Sequence, residues 1–158
     1  MMLPFVLTLS LFCAVAAALV NFTVDDNDSL ITYKGTWESA SAHLSGLDFG
    51  GGHTVSTDSG ASAVFTFTGV AIYYLAPRWP YAVTTQLSLD GAPGIVVNLT
   101  DPDASPTADG SESAPSSVVW AATGLLDATH TLVATMANGG QFIIVDALMC
   151  VSDSAPHP

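Results

Sequence analysis

Between Phe22 and Val151 the chain alternates short runs of Val, Ile, Thr and aromatic residues with clusters of Gly, Asp, Ser and Pro. That rhythm belongs to strands separated by turns, and no segment sustains the repeat of an amphipathic helix. The predicted strands are Phe22–Val24, Ile31–Gly35, His53–Thr57, Ser62–Thr68, Val70–Ala76, Thr84–Leu89, Ile95–Leu99, Ser117–Ala122, His130–Ala137 and Gln141–Val151. Many short strands at this spacing build an all-β, antiparallel β-sandwich or a barrel. Period-two alternation also predicts faces. Ala63, Phe65 and Phe67 share an inward face, as do Leu87 and Leu89, and Asp90-Gly91 is a hairpin turn signal. Tyr74 should point in and its neighbour Tyr73 out. The last run, Phe142 to Leu148, is apolar on both faces apart from Asp146, which predicts a central or doubly covered strand. Asp101–Ser116, rich in Pro, Asp and Ser, reads as a long exposed loop.

Composition narrows the function. The 158 residues suffice for one domain, placed at 22–151 with a disordered tail at 152–158. Fourteen acidic residues face two basic ones, Lys34 and Arg78, for a formal charge of -12. No phosphate-reading surface can be built from two cations, so nucleic acid is excluded as a partner, and anionic membranes are disfavoured. Residues 1–18 form an uncharged apolar segment closing on Ala14-Val15-Ala16-Ala17-Ala18, which reads as a secretory signal peptide cut after Ala16 or Ala18. The opposing reading is a retained anchor, since about 20 apolar residues can span a bilayer. No second run of that kind follows, so no membrane insertion is expected after signal cleavage, and the expected location is extracellular. Sequons at Asn21, Asn27 and Asn98 fit a glycosylated, exported chain. Removal of Cys13 with the leader would leave Cys150 alone, without an internal disulfide, as an inert buried thiol.

The order of motifs resembles a known domain. Thr23-Val24-Asp25-Asp26, Ile31-Thr32-Tyr33-Lys34-Gly35-Thr36-Trp37, His53-Thr54, Gly60 through Gly69, Leu87 through Gly91, Gly124-Leu125, His130-Thr131-Leu132 and Val145-Asp146-Ala147-Leu148 follow one another. Together they resemble the galactose-binding-like jelly-roll domain of secreted and membrane-anchored fungal proteins, over roughly residues 22 to 151. The resemblance implies a sandwich related to carbohydrate-binding modules. It also raises a structural calcium ion held where the first and last strands meet, by Asp25, Asp26 and Asp146.

The residues themselves suggest where a ligand would sit. Sugar rings present flat C–H faces to exposed aromatics, while polar side chains orient their hydroxyls. Arg78, Trp79 and Tyr81 lie in Pro77-Arg78-Trp79-Pro80-Tyr81, read as a loop, with Tyr73 a further outward candidate. If Trp79 instead folds back as a plug, the open platform is lost. Trp37 and Trp120 are assigned to the core. Asp146 inside an apolar strand either ligates calcium or accepts hydrogen bonds from backbone N–H groups or His130. The four histidines are widely spaced and make no zinc motif, and there is no Gly-x-Ser-x-Gly elbow. Glu38 and Glu112 are available for glycoside hydrolysis, but nothing in the sequence sets their separation. The expected function is thus a non-catalytic module for neutral glycans or cell-wall polysaccharide, or for cell-surface adhesion. The alternative is a structural or protein-interaction domain without a sugar site.

Overall fold

The computed structural model describes residues 19–105 and 110–152. The expected leader at 1–18 and positions 153–158 of the expected tail lie outside the described residues. The fold is an all-β antiparallel sandwich of jelly-roll type. Its strands are β1 (Val20–Asp25), β2 (Ile31–Lys34), β3 (Thr54–Ser56), β4 (Ser62–Arg78), β5 (Thr84–Leu89), β6 (Ile95–Asn98), β7 (Ala114–Met136), β8 (Ile143–Val145) and β9 (Ala147–Ser152). The main sheet runs β1-β9-β4-β7-β5-β6, with β2 also paired to β4, and β3-β8 form a small second sheet.

Two expected pairs of strands are in fact continuous. Ser62–Thr68 and Val70–Ala76 fuse into β4, and Ser117–Ala122 and His130–Ala137 fuse into β7. The glycines that read as breaks serve as irregularities in the ladder instead. Gly69 pairs with Ala128 but Ala71 pairs with Thr123, so residues 124–127 bulge outward. At Gly69 a Cβ would stand 2.3 Å from the Val151 carbonyl oxygen, so only glycine lets β9 approach there. Beside this bend one edge of β4 changes partner, from β2 at Ser62–Phe65 to β9 at Ala71–Leu75. The expected loop at Asp101–Ser116 is shorter than its composition suggests, because Ala114 already opens β7. Ser152, assigned to the tail, is buried at the end of β9 opposite Val20.

The inward faces follow the alternation. Ala63, Phe65, Phe67, Leu87 and Tyr74 are buried, while Tyr73 and Leu89 are half-buried. Ile31, Ala63, Leu87, Leu132 and Ala134 meet Tyr74, Val145 and Leu148 across the core. Each of the larger aliphatic ones, Ile31, Leu87, Leu132, Val145 and Leu148, contributes about 1.5–3 kcal/mol of burial. Trp37 and Trp120 only half fulfil their assignment, packing against the core while partly exposed. Cys150 is buried, and burial raises its thiol pKa.

The last predicted strand splits at Asp146. Its second half, β9, lies between β1 and β4, as its two apolar faces require. Its first half, β8, pairs among the described residues with β3 alone, and its other edge is completed by side chains. Ile144 N–H donates to Thr85 Oγ1 at 3.0 Å, and the Tyr74 hydroxyl donates to the Ile144 carbonyl at 2.8 Å. Tyr74→Phe leaves that carbonyl buried without a donor, at an expected cost of about 1–3 kcal/mol in denaturant unfolding. A change under about 0.3 kcal/mol would show that the bond does not hold β8.

The β5–β6 turn carries an ion pair. Asp90 and Gly91 both have positive φ, 52° and 72°, as the tight hairpin requires. Asp90 Oδ1 accepts from Thr131 N–H at 2.8 Å, and its Oδ2 lies 2.7 Å from His130 Nδ1. The other His130 nitrogen faces the Leu126 carbonyl at 2.9 Å. With an acceptor at each nitrogen the imidazolium is the form held best. The Leu126 carbonyl and Asp90 therefore raise the His130 pKa, while His130 and Thr131 lower that of Asp90. The His130 contribution is full below its unfolded pKa of about 6.5 and is lost as pH rises through the raised folded value. The Asp90 contribution is present above its ordinary value of 3.8 and fades as pH falls through the lowered one. The Tm deficit of His130→Gln relative to the natural chain should be widest near pH 5.5 and shrink by about pH 8.5, and a constant deficit would refute the ionic reading.

Candidate functional site

The segment between β2 and β3 doubles back on itself. Glu38 and Val55 exchange backbone hydrogen bonds of 2.8 and 3.0 Å, and Leu44 bridges to Gly52. This brings His43 onto His53, with the rings stacked at 5.2 Å. Asp146 anchors the same segment from below. It accepts from Phe49 N–H at 3.0 Å and from the Ser116 hydroxyl, while Ser116 N–H donates to the Leu47 carbonyl at 2.7 Å. One buried carboxylate thus ties the doubled loop to the start of β7.

Because of that anchoring Asp48 turns inward. It precedes the short turn at Phe49–Gly51 without capping it through its side chain. Its Oδ2 lies 3.0 Å from His53 Nδ1, and Glu112 Oε1 lies 3.3 Å from the same nitrogen. The Asp48, His53 and Glu112 side chains are 0%, 6% and 10% exposed. Burial alone would lower the His53 pKa. The Asp48 hydrogen bond and the charges of Asp48, Glu112 and Asp146 outweigh it and hold that pKa above the ordinary value. Burial pushes Asp146 up to about 7 against the Ser116 hydrogen bond, and the Asp48 charge adds to the rise.

Above these groups lies a pocket of about 320 Å³. Trp79, Tyr81 and Phe142 supply its ring walls, and Glu38, His43, His53 and Glu112 its polar ones. Glu38 Oε2 lies 2.9 Å from His43 Nε2, so each glutamate is already engaged by a histidine.

The four aromatic and cationic residues expected to bind ligand fare differently. Trp79 is 3% exposed, which overturns the open platform. Its backbone exchanges hydrogen bonds with Leu99 and Asp101, and its ring meets His53 edge-on at 5.3 Å. It is a plug that closes the floor of the pocket. Arg78 is not on a loop but ends β4, and its guanidinium donates to the Thr100 carbonyl at 3.3 Å. Tyr73 lies on the opposite face of β4 from Tyr74 and lines no part of this pocket. Tyr81 does line it, half-buried, with its hydroxyl donating to the Gly110 carbonyl at 2.7 Å.

The calcium set is not assembled as one cage. β1 does pair with β9, setting Asp25 opposite Ala147. Yet both Asp146 oxygens are taken by Phe49 and Ser116, and an Asp25 oxygen accepts from Asp26 N–H. One Asp26 oxygen accepts from the Thr54 hydroxyl, while the other, Oδ1, is buried without a partner. His130 serves Asp90 rather than Asp146. Asn21, Asn27 and Asn98 are all exposed. Among the described residues the metal-capable group that does converge is Asp48, His53 and Glu112. Sequence reasoning missed it because Glu112 lies 59 positions beyond His53 and no local spacing links them.

No family model matches the chain, and no curated protein matches it. Solved structures do match. A family two carbohydrate esterase from Cellvibrio japonicus superposes with a TM-score of 0.54 at 11% identity, over 89% of this chain and 36% of that one. The GH26-CBM35 β-(1,4)-mannanase of Podospora anserina gives 0.52 at 19% identity, over 87% of this chain and 28% of the other. An exo-β-1,3-galactanase from Phanerochaete chrysosporium gives 0.52 at 13% identity, over 82% and 29%. This chain spans about a third of each, and the likeness is one of fold: an all-β domain of the kind found within carbohydrate-active enzymes.

Asp146→Ala frees Phe49 N–H and Ser116 at once. Hydrogen exchange should show the Phe49 amide losing most of its protection, with a global loss of about 1–3 kcal/mol. Retained protection at Phe49 would mean that the loop holds its shape without the carboxylate.

Proposed function

We propose that this protein is an exported, glycosylated, non-catalytic carbohydrate-binding module whose site is the pocket over Trp79 rather than an exposed aromatic strip. The observation that carries the reading is the pairing of ring walls, Tyr81 and Phe142, with carboxylate and imidazole acceptors in one concavity. Its volume sits at the small end of the roughly 300–1,000 Å³ of ligand pockets, which suits one or two sugar rings rather than a polymer lying across it. The acidic lining and a formal charge of -12 favour neutral glycans over uronic acids. Domains of this fold within carbohydrate-active enzymes are consistent with that class of ligand, as is the resemblance to fungal surface modules. The ion pairs that occupy Glu38 and Glu112 speak for binding rather than hydrolysis.

A second reading, a protein-interaction domain, draws on Ile95 and Val96, each 53% exposed on the sheet-edge strand β6. A glycan array and calorimetry separate the two. Binding of a neutral mono- or disaccharide should weaken at least tenfold, about 1.4 kcal/mol, in Tyr81→Ala and Phe142→Ala and hold in Tyr73→Ala. Silence across the array would turn the assignment to the second reading. Release of reducing sugar that vanishes in Glu112→Gln would replace both with an enzyme.

A further inference from the structure

Two carboxylates converge on one imidazole nitrogen at the inner end of the pocket. His53 Nδ1 lies 3.0 Å from Asp48 Oδ2 and 3.3 Å from Glu112 Oε1. A single N–H cannot serve two carboxylates equally well, and the cluster carries more negative than positive charge even with the imidazole protonated. The second oxygen of Asp48, Oδ1, is buried with no hydrogen-bond partner, in a side chain that is 0% exposed. Buried carboxylate oxygens are normally satisfied. Among the described residues Asp26 Oδ1 and this one are left without a partner. Asp48 alone of the two belongs to a convergent three-ligand group, where the orphan points to a missing positive partner.

We propose that Asp48, His53 and Glu112 form a three-ligand site for a divalent transition-metal ion of the zinc class, with its open position facing the pocket. The ligand atoms all lie within 4.8 Å of one another. Zinc bonds of about 2.0–2.1 Å in a tetrahedron set ligand atoms about 3.3–3.4 Å apart. The two separations from His53 Nδ1, 3.0 and 3.3 Å, are already close to that edge. The third, between Asp48 and Glu112, lies within 4.8 Å and closes by side-chain rotation as the ion enters. One imidazole and two carboxylates suit a borderline cation. Calcium asks for six to eight oxygens and magnesium for a largely hydrated octahedron, and this set offers neither. Three protein ligands leave a fourth position for water or for a donor on a bound molecule, and His53 and Glu112 both line the pocket. The site is separate from the Asp25, Asp26 and Asp146 set that the family resemblance raised, and it does not depend on the sugar reading.

Zinc itself is the probe. The full chain, stripped with a chelator, should take up one equivalent of Zn²⁺ by calorimetry and gain thermal stability in doing so. Cobalt in its place should give the intense visible absorption of four-coordinate geometry. His53→Gln and Glu112→Gln should each weaken zinc binding at least about tenfold, since loss even of an outer partner costs 10–100-fold. Asp103→Asn, on an exposed loop, should bind as the natural chain does. Glu112→Gln decides the matter if His53→Gln does not fold. No uptake of zinc, uptake undiminished in Glu112→Gln, or a weak octahedral cobalt spectrum would each overturn the site and leave a proton-bridged cluster. Sugar binding that survives in zinc-free protein would leave the pocket reading intact whatever the metal does.

Discussion

A carboxylate with no exposed surface has to find donors inside the protein, and Asp146 finds them on two segments far from it in sequence. Phe49 N–H comes from the doubled loop between β2 and β3, and the Ser116 hydroxyl from the beginning of β7. Satisfying that one group fixes the loop against the sandwich, sets Asp48 facing inward and draws Glu112 toward His53. The pocket exists because the loop is held there. The same residue interrupts the final strand, so that β8 leaves the main sheet to pair with β3.

The sandwich tolerates this interruption because side chains replace the missing ladder. Thr85 and Tyr74 satisfy both backbone groups of Ile144 from the opposite face. Buried polar groups of this kind add little net energy when paired and cost much when not, so they specify one arrangement of β8 rather than merely holding it. Apolar packing among Ile31, Ala63, Leu87, Leu132 and Leu148 supplies the bulk of the cohesion in a domain whose described residues hold a single, free cysteine.

Charge is distributed unevenly through this architecture. Acidic residues in turns have lowered pKa values, Asp58 because it accepts the Gly60 and Thr36 N–H groups and Asp90 because of His130 and then the Thr131 N–H. Asp26 and Asp146 are buried, and burial raises theirs. Around His53, burial, which lowers its pKa, is opposed by the Asp48 hydrogen bond and by the opposite charges of Asp48, Glu112 and Asp146, which raise it. Sites where proteins accept that opposition are commonly functional ones.

Much of the fold was legible along the chain. Period-two alternation marked Phe65, Phe67, Leu87 and Tyr74 as inward, and Asp90-Gly91 as a turn, because each depends on neighbours one or two positions away. What alternation could not reveal was whether Gly69 and Gly124 ended strands or bent them, since that depends on the partner strand lying alongside. Trp79 between prolines looked like an exposed loop residue, yet backbone bonds to Leu99 and Asp101 draw it inward. The cluster of Asp48, His53 and Glu112 was invisible for the same reason: its members meet only through the loop that Asp146 secures. Local preference set the strands and their faces. Long-range hydrogen bonding, which no short window of sequence contains, decided which polar side chains would share a pocket.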